Sequence, residues 1–193
     1  MQNHFYAVMS RMKNIFRWGL MRNTRQENLS EHSLEVAQIA HALALINRKR
    51  FGGNADPNFV AVVAMYHDSS EIITGDMPTP IKYYNDEIKS AYKQIEATAQ
   101  KQLTEMLPDD FKADFKSIYN PDELTHRLVK AADKLSALIK CTEELNMGNR
   151  EFEVAEETIS QSIESMKCPE AEVFLCEFIP SFSLSLDEQR EIK

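Results

Sequence analysis

Apolar residues recurring every three to four positions, over stretches too long for strands, constrain this chain more than any other feature. The clearest stretch places Leu124, Leu128, Ala131, Leu135, Leu138 and Leu145 on one helical stripe. Only five glycines interrupt 193 residues, so the pattern predicts an all-α fold. That length suits one domain able to bury a core without staples. With no internal repeat and no linker-like tract in view, we expect a single compact multi-helix bundle over residues 1–193.

Local signals divide the chain. Phe5, Val8, Met9, Met12 and Ile15 predict an amphipathic helix over 3–15, with Gly19 closing it after Arg17-Trp18. Ser30 can cap the next helix, in competition with an Asn28–Glu31 pair. His32, Val36, Ile39, Leu43 and Ile46 then share a face, so His32 points inward near a helix start. Such a His, taken alone, is more often a hydrogen-bonded core residue than a ligand. Asp56-Pro57 opens a further helix with Phe59, Val62, Val63 and Tyr66 expected inside, and it delivers His67-Asp68 near its far end. If that segment ends a helix, Glu71 falls on the same face as the pair. The stretch from Thr74 to Pro80 carries two prolines and a glycine, a stiff loop suited to walling a site. Ile88, Tyr92, Ile95, Ala99, Leu103 and Met106 mark a long helix over 86–107, and a short one lies around 111–118. Asn120-Pro121 restarts the chain, with Asn120 as cap, and Gly148 ends the helix that follows. Helices over 152–166 and 170–178 precede an apolar tail expected to fold back on the core.

The net charge of −8 speaks against a nucleic-acid polymer as partner, but it is unevenly spread. Residues 1–26 carry five basic groups and no acid, leaving −13 for the remainder. A locally basic arm on an acidic body suits a small anionic ligand; a solvated basic face is the plainer alternative. The N-terminus has no signal-peptide apolar block, and no apolar run reaches the ~18 residues that span a bilayer. Cys141, Cys168 and Cys176 lack metal-site or paired spacing and read as reduced thiols of a cytosolic protein.

Glycine-rich phosphate loops, a GxSxG elbow and HExxH are all missing. What remains is His32, then His67-Asp68 with a carboxylate at Glu71, and a search for one more acid. Asp133 is the candidate, although it lies nearly opposite the leucine stripe of its helix. Periodicity alone favours a solvated acid paired with Lys130 or Lys134. Against that, Ala132, Ser136 and Ala137 make the surrounding face small-sided, as a close helix approach requires, and a long central helix can be covered on both sides.

His … His-Asp … Asp, on helices in this order, resembles the HD-domain metal-dependent phosphohydrolases. Arg17-Trp18, Glu27 to Ser33, Tyr66 to Glu71, Thr74 to Pro80, Lys130 to Asp133 and the Pro180 to Leu186 tail are similar to the bacterial 5′-deoxynucleotidase branch of that family. The resemblance implies that His32, His67, Asp68 and Asp133 bind one divalent metal, Co²⁺, Mn²⁺, Zn²⁺ or a similar ion, since imidazole and carboxylate select poorly among these. It implies Glu71 as the proton-handling group, with Asp68 as an alternative, and Arg17 as the phosphate-orienting fork. Trp18 resembles the residue packed on the sugar. Asp76, Met77, Pro78 and Thr79 resemble a sugar-side loop, and His32 and Asp133 also adjoin the substrate. The implied reaction is hydrolysis of deoxyribonucleoside 5′-monophosphates by a cytoplasmic homodimer. Two readings compete: another phosphoester cleavage, such as that of a deoxynucleoside triphosphate, and a non-catalytic helical binding protein keeping its metal for structure.

Overall fold

The computed structural model describes residues 3–190 apart from residue 83. Helices α1 (Phe5–Met9), α2 (Leu29–Arg50), α3 (Pro57–Tyr66), α4 (Glu71–Thr74) and α5 (Thr79–Lys82) make the first half. They are followed by α6 (Asp86–Glu105), α7 (Lys112–Tyr119), α8 (Glu123–Asn146), α9 (Glu153–Ser165), α10 (Pro169–Glu177) and α11 (Leu186–Arg190). Short 3₁₀ turns cover Ser10–Asn14, Arg150–Phe152 and Ile179–Ser183. The only extended pairing among the described residues is one antiparallel bridge, Phe16 with Asn28. The all-α expectation holds.

The caps explain most boundaries. At α2 the Asn28–Glu31 pair wins over Ser30: the Asn28 side chain accepts from the Ser30 and Glu31 amides, and Glu31 reaches back to the Asn28 amide. Asp56 caps α3 ahead of Pro57. At α8 the cap is Asp122 rather than Asn120, because its carboxylate accepts from the Thr125 amide and hydroxyl. Gly148 ends α8 at φ +82°, a backbone conformation that glycine adopts without strain. The first predicted helix is shorter than expected. It tightens to 3₁₀ at Ser10 and ends at Asn14, so Gly19 does not cap it.

The main core lies where α2, α3 and α8 meet, closed by α9 and α10. Val36, Ile39, Leu43 and Ile46 of α2 pack there as the stripe predicted. The buried face of α3 is rotated from the expected one: Val60, Val63 and Ala64 are inside, while Phe59, Val62 and Tyr66 are half-buried. Helix α8 is central. Besides Leu128, Ala131, Leu135 and Leu138, its other side buries Val129, Ala132, Ser136 and Ile139. A smaller aromatic cluster joins Phe5, Phe115, Leu103 and Leu107, with Tyr66 against them. In α6 the stripe holds at Tyr92, Ala99 and Leu103 but not at Ile95, which is 51% exposed because α6 lies on the outside of the bundle. The tail folds back partway: Ile179 and Phe182 pack on the core, whereas Leu184 and Leu186 are exposed. Among the described residues no helix is long and apolar enough to cross a membrane.

Candidate active site

Three elements converge on one point. The capping box fixes the first turn of α2, and His32 projects from that turn into the bundle, 1% exposed. Helix α3 stops at Tyr66, and the turn after it carries His67 and Asp68. From the middle of α8 comes Asp133. Its oxygen lies 3.2 Å from His32 Nε2 and 3.9 Å from His67 Nε2, while Asp68 Oδ2 lies 3.5 and 3.2 Å from the same two nitrogens. One donor atom from each of the four falls within 4.8 Å of the others. The surface-acid reading of Asp133 therefore gives way. The face that periodicity assigned to solvent is only partly exposed, and there the Asp133 side chain, 38% exposed, reaches His32 of α2 and His67 after α3.

The donor set fits a cation. Both Nε2 atoms are buried without a hydrogen-bond partner, an expensive arrangement unless a lone pair there has another use. The opposite nitrogens are occupied: His67 Nδ1 sits 2.7 Å from the Ala64 carbonyl and His32 Nδ1 3.1 Å from Ser136 Oγ. Ser136 in turn donates to Glu35 Oε2 at 2.6 Å. These partners hold each ring so that Nε2 presents its lone pair inward, as metal-binding imidazoles require. Burial pulls the His67 pKa down, but Asp68 outweighs it and raises it to about 9. Burial also disfavours the charged form of Asp133, yet the close approach and charge of His32 hold it at about 2. Asp68 is held well below the usual carboxylate range against the same burial, chiefly by His67. An imidazole must be neutral to bind a cation, so binding there releases the His67 proton.

Glu71 is reached by a turn and not by one continuous helix. Its amide donates to the Asp68 carbonyl at 2.9 Å, and it opens the short α4. The side chain is 5% exposed and Oε2 has no partner. Burial first, then the charges of Asp68 and Asp76, push its pKa up to about 9 against Arg17 and Lys82. Arg17 is half-buried at the cluster's edge, with Nη1 3.3 Å from Asp68 Oδ2. Burial opposes its charge, but Asp68, Asp133 and Glu27 raise its pKa further. Trp18 takes φ +59°, a left-handed conformation costing a bulky residue roughly 1–3 kcal/mol, and its ring lies 5.3 Å from that of Phe152.

The loop after Gly75 forms a rim. Asp76 is half-buried, its pKa raised by burial and by Asp68 and lowered by Arg17 and His32. Met77 and Pro78 are half-buried and Thr79 is exposed. Lys82 ties the rim to α6 through Glu96 at 2.8 Å. Sequence reasoning assigned no role to Glu27, Glu35 or Ser136. The available signal was an acid three residues after His32 beside an otherwise apolar face.

Two His and two Asp, from α2, the turn after α3 and α8, thus meet at one point. The fold matches an HD-domain phosphohydrolase from Listeria innocua with a TM-score of 0.81 at 22% identity, over 94% of this chain and 90% of that one. It also matches the cyanophage S-2L HD phosphohydrolase, solved with dA and one catalytic Zn²⁺ ion, with a TM-score of 0.67 at 19% identity, over 95% and 98% of the two chains. The family model for 5′-deoxynucleotidase YfbR-like proteins matches residues 4–182. The chain is 52% identical to a 5′-deoxynucleotidase of Vibrio parahaemolyticus over 97% of this chain and 98% of that one. It is 50% identical to one of Pectobacterium atrosepticum over 97% and 96%. The chain belongs to the YfbR-like 5′-deoxynucleotidase family.

Proposed function

We propose that His32, His67, Asp68 and Asp133 hold one divalent ion, and that this site removes the 5′-phosphate from deoxyribonucleoside 5′-monophosphates. The reaction class follows from the family and the HD-domain fold: a metal-dependent phosphomonoester hydrolysis. The observation that carries the site assignment is the pair of buried, unpartnered Nε2 atoms facing two carboxylates. When bound, the ion supplies Lewis acidity toward phosphate and a more acidic water. Imidazole with carboxylate suits Co²⁺, Mn²⁺ or Zn²⁺.

The protein's own groups do the rest. Arg17 presents its Nη edge at the cluster and orients phosphate oxygens. Glu71, buried and within a turn of Asp68, takes the proton from the attacking water, and a nearby cation favours its ionised form. Trp18 packs on the sugar, Asp76 accepts from the 3′-hydroxyl, and the segment Met77-Pro78-Thr79 shapes the rim. Binding concentrated on phosphate and sugar gives weak base selectivity. The chain acts as one domain over residues 1–193, and the family resemblance supports a cytoplasmic homodimer.

The test is metal-stripped protein reloaded with Co²⁺, Mn²⁺ or Zn²⁺ and assayed on dAMP, AMP, 3′-dAMP and dATP. Metal-dependent phosphate release from dAMP, well above AMP and 3′-dAMP, is expected. Preference for dATP would overturn the reading.

A further inference from the structure

The two residues assigned to phosphate and sugar meet at a single atom outside the ion cluster. Glu27 Oε2 accepts from Arg17 Nε at 3.1 Å and from Trp18 Nε1 at 3.1 Å. The Glu27 side chain is 13% exposed and that of Arg17 14%, so the contact is sheltered from solvent competition. The backbone sets its register. The Arg17 amide donates to the Glu27 carbonyl at 3.0 Å and the Leu29 amide to the Ile15 carbonyl at 2.9 Å, around the Phe16–Asn28 bridge. Segments 15–18 and 27–29 are therefore clamped side by side just before α2 begins. Within that clamp Trp18 holds a left-handed backbone that a tryptophan does not adopt unaided. Its ring is fixed by Glu27 on the nitrogen edge and by Phe152 alongside, and its carbonyl accepts from the Met21 amide and from Asn23 Nδ2.

We propose that Glu27 is a positioning residue that locks Arg17 and Trp18 into one unit, so that phosphate orientation and selection of the 2′-deoxy sugar are set together. Geometry supports this coupling. With Nε committed to Glu27, the guanidinium plane is fixed and its Nη edge is left for the cluster, where Nη1 already lies 3.3 Å from Asp68. The same carboxylate oxygen decides where the indole stands. A substrate whose phosphate is seated by Arg17 thus meets the indole at a set distance and angle, and an added 2′-hydroxyl has no room gained by a tilt of the ring. A residue that served phosphate alone, or sugar alone, would need no shared acceptor. The inference rests on the functional reading above and adds to it what makes the two subsites act as one.

The sole tryptophan of the chain is Trp18, so its fluorescence reports this unit directly. The experiment compares Co²⁺-loaded wild type with Glu27→Gln, which keeps shape and one acceptor, and Glu27→Ala, which removes both partners. Four quantities are measured: acrylamide quenching of Trp18, kcat and KM for dAMP and for AMP, bound cobalt, and Tm. The expected result is cobalt content as in wild type, quenching increased in Glu27→Ala, and the dAMP-over-AMP ratio of kcat/KM lowered by about tenfold, the scale of one charge-assisted hydrogen bond. Glu27→Gln is expected to fall between. If Glu27→Ala is too unstable to assay, Glu27→Gln with a lowered ratio supports the proposal and with a wild-type ratio overturns it. A fall in dAMP turnover with ratio and quenching unchanged also overturns it, since Glu27 would then act on Arg17 alone. Failure of wild type to release phosphate from dAMP would strike the functional reading itself, a separate outcome.

Discussion

At the scale of single residues, the site is a set of polar atoms whose usual partners are withheld. His32 and His67 each spend Nδ1 on a neighbour and leave Nε2 buried and bare, and Glu71 leaves Oε2 in the same condition. An unpaired buried polar atom costs about 1–3 kcal/mol, so several in one place mark a site that a ligand completes. The division of labour between ligands and proton handler leads to a prediction. Glu71→Gln keeps the shape and the cluster, and is expected to bind the divalent ion as wild type while kcat for dAMP falls by roughly 10²–10⁴, the range for loss of general base catalysis. Metal analysis beside steady-state kinetics checks it. Unaltered kcat would remove Glu71 from the proton path and leave Asp68 as the group to test.

At the scale of elements, function depends on where helices begin. His32 stands in the first turn of α2, one residue beyond Glu31, so the Asn28–Glu31 capping box that starts the helix also fixes a proposed ligand. Asn28→Ala is expected to cost about 1 kcal/mol in a urea titration. It should also weaken cobalt binding in a chelator competition, because the frayed turn is the one carrying His32. A stability loss with metal affinity unchanged would show that His32 is held by Ser136 and packing instead. The capping signals were legible in the sequence, though only as competitors. Asn28 over Ser30 and Asp122 over Asn120 were settled by which side chain reaches the free amides two and three residues on. The α3 face was misjudged for a similar reason. Seven apolar residues in a row, Phe59 to Met65, fit more than one stripe, and only packing against α2 and α8 picks Val60, Val63 and Ala64.

At the scale of the whole molecule, buried ionic networks tie distant segments together. Glu144 of α8 accepts from Lys140, Asn149 and the Thr24 amide and hydroxyl, securing the basic arm that leads from Trp18 to α2. Glu170 of α10 pairs with Arg127 of α8 and accepts from Asn47 of α2. Burial pushes both carboxyls up, but these partners prevail and hold each at about 2, below the ordinary 4.5. A folded-state pKa below the unfolded one gives stability that is complete above about 4.5 and is lost as pH falls toward 2. Thermal melts should therefore show Tm dropping through that window. Glu144→Gln is expected to melt lower at pH 7, by the order of 3–5 kcal/mol for a broken buried pair, and to depend less on pH below 4.5. An identical acid profile in the variant would contradict the assignment.

The sequence by itself determined the long helices and marked most of the candidates for the site. Periodic apolar stripes, proline starts and caps act locally and need no knowledge of what packs where, and His32, His67-Asp68 and Glu71 stood out as chemistry on otherwise ordinary helices. Tertiary structure alone brought Asp133 to the two histidines and joined Arg17 to Trp18. A hydrophobic stripe reveals the most apolar side of a helix and is silent about the opposite side. In α8 that opposite side is only partly exposed, and an acid assigned to solvent becomes the fourth member of the cluster. Glu27 reaches Arg17 and Trp18 across ten and nine residues of irregular chain. No helical or strand period connects positions so spaced, so their meeting at one carboxylate oxygen is a property of the folded molecule.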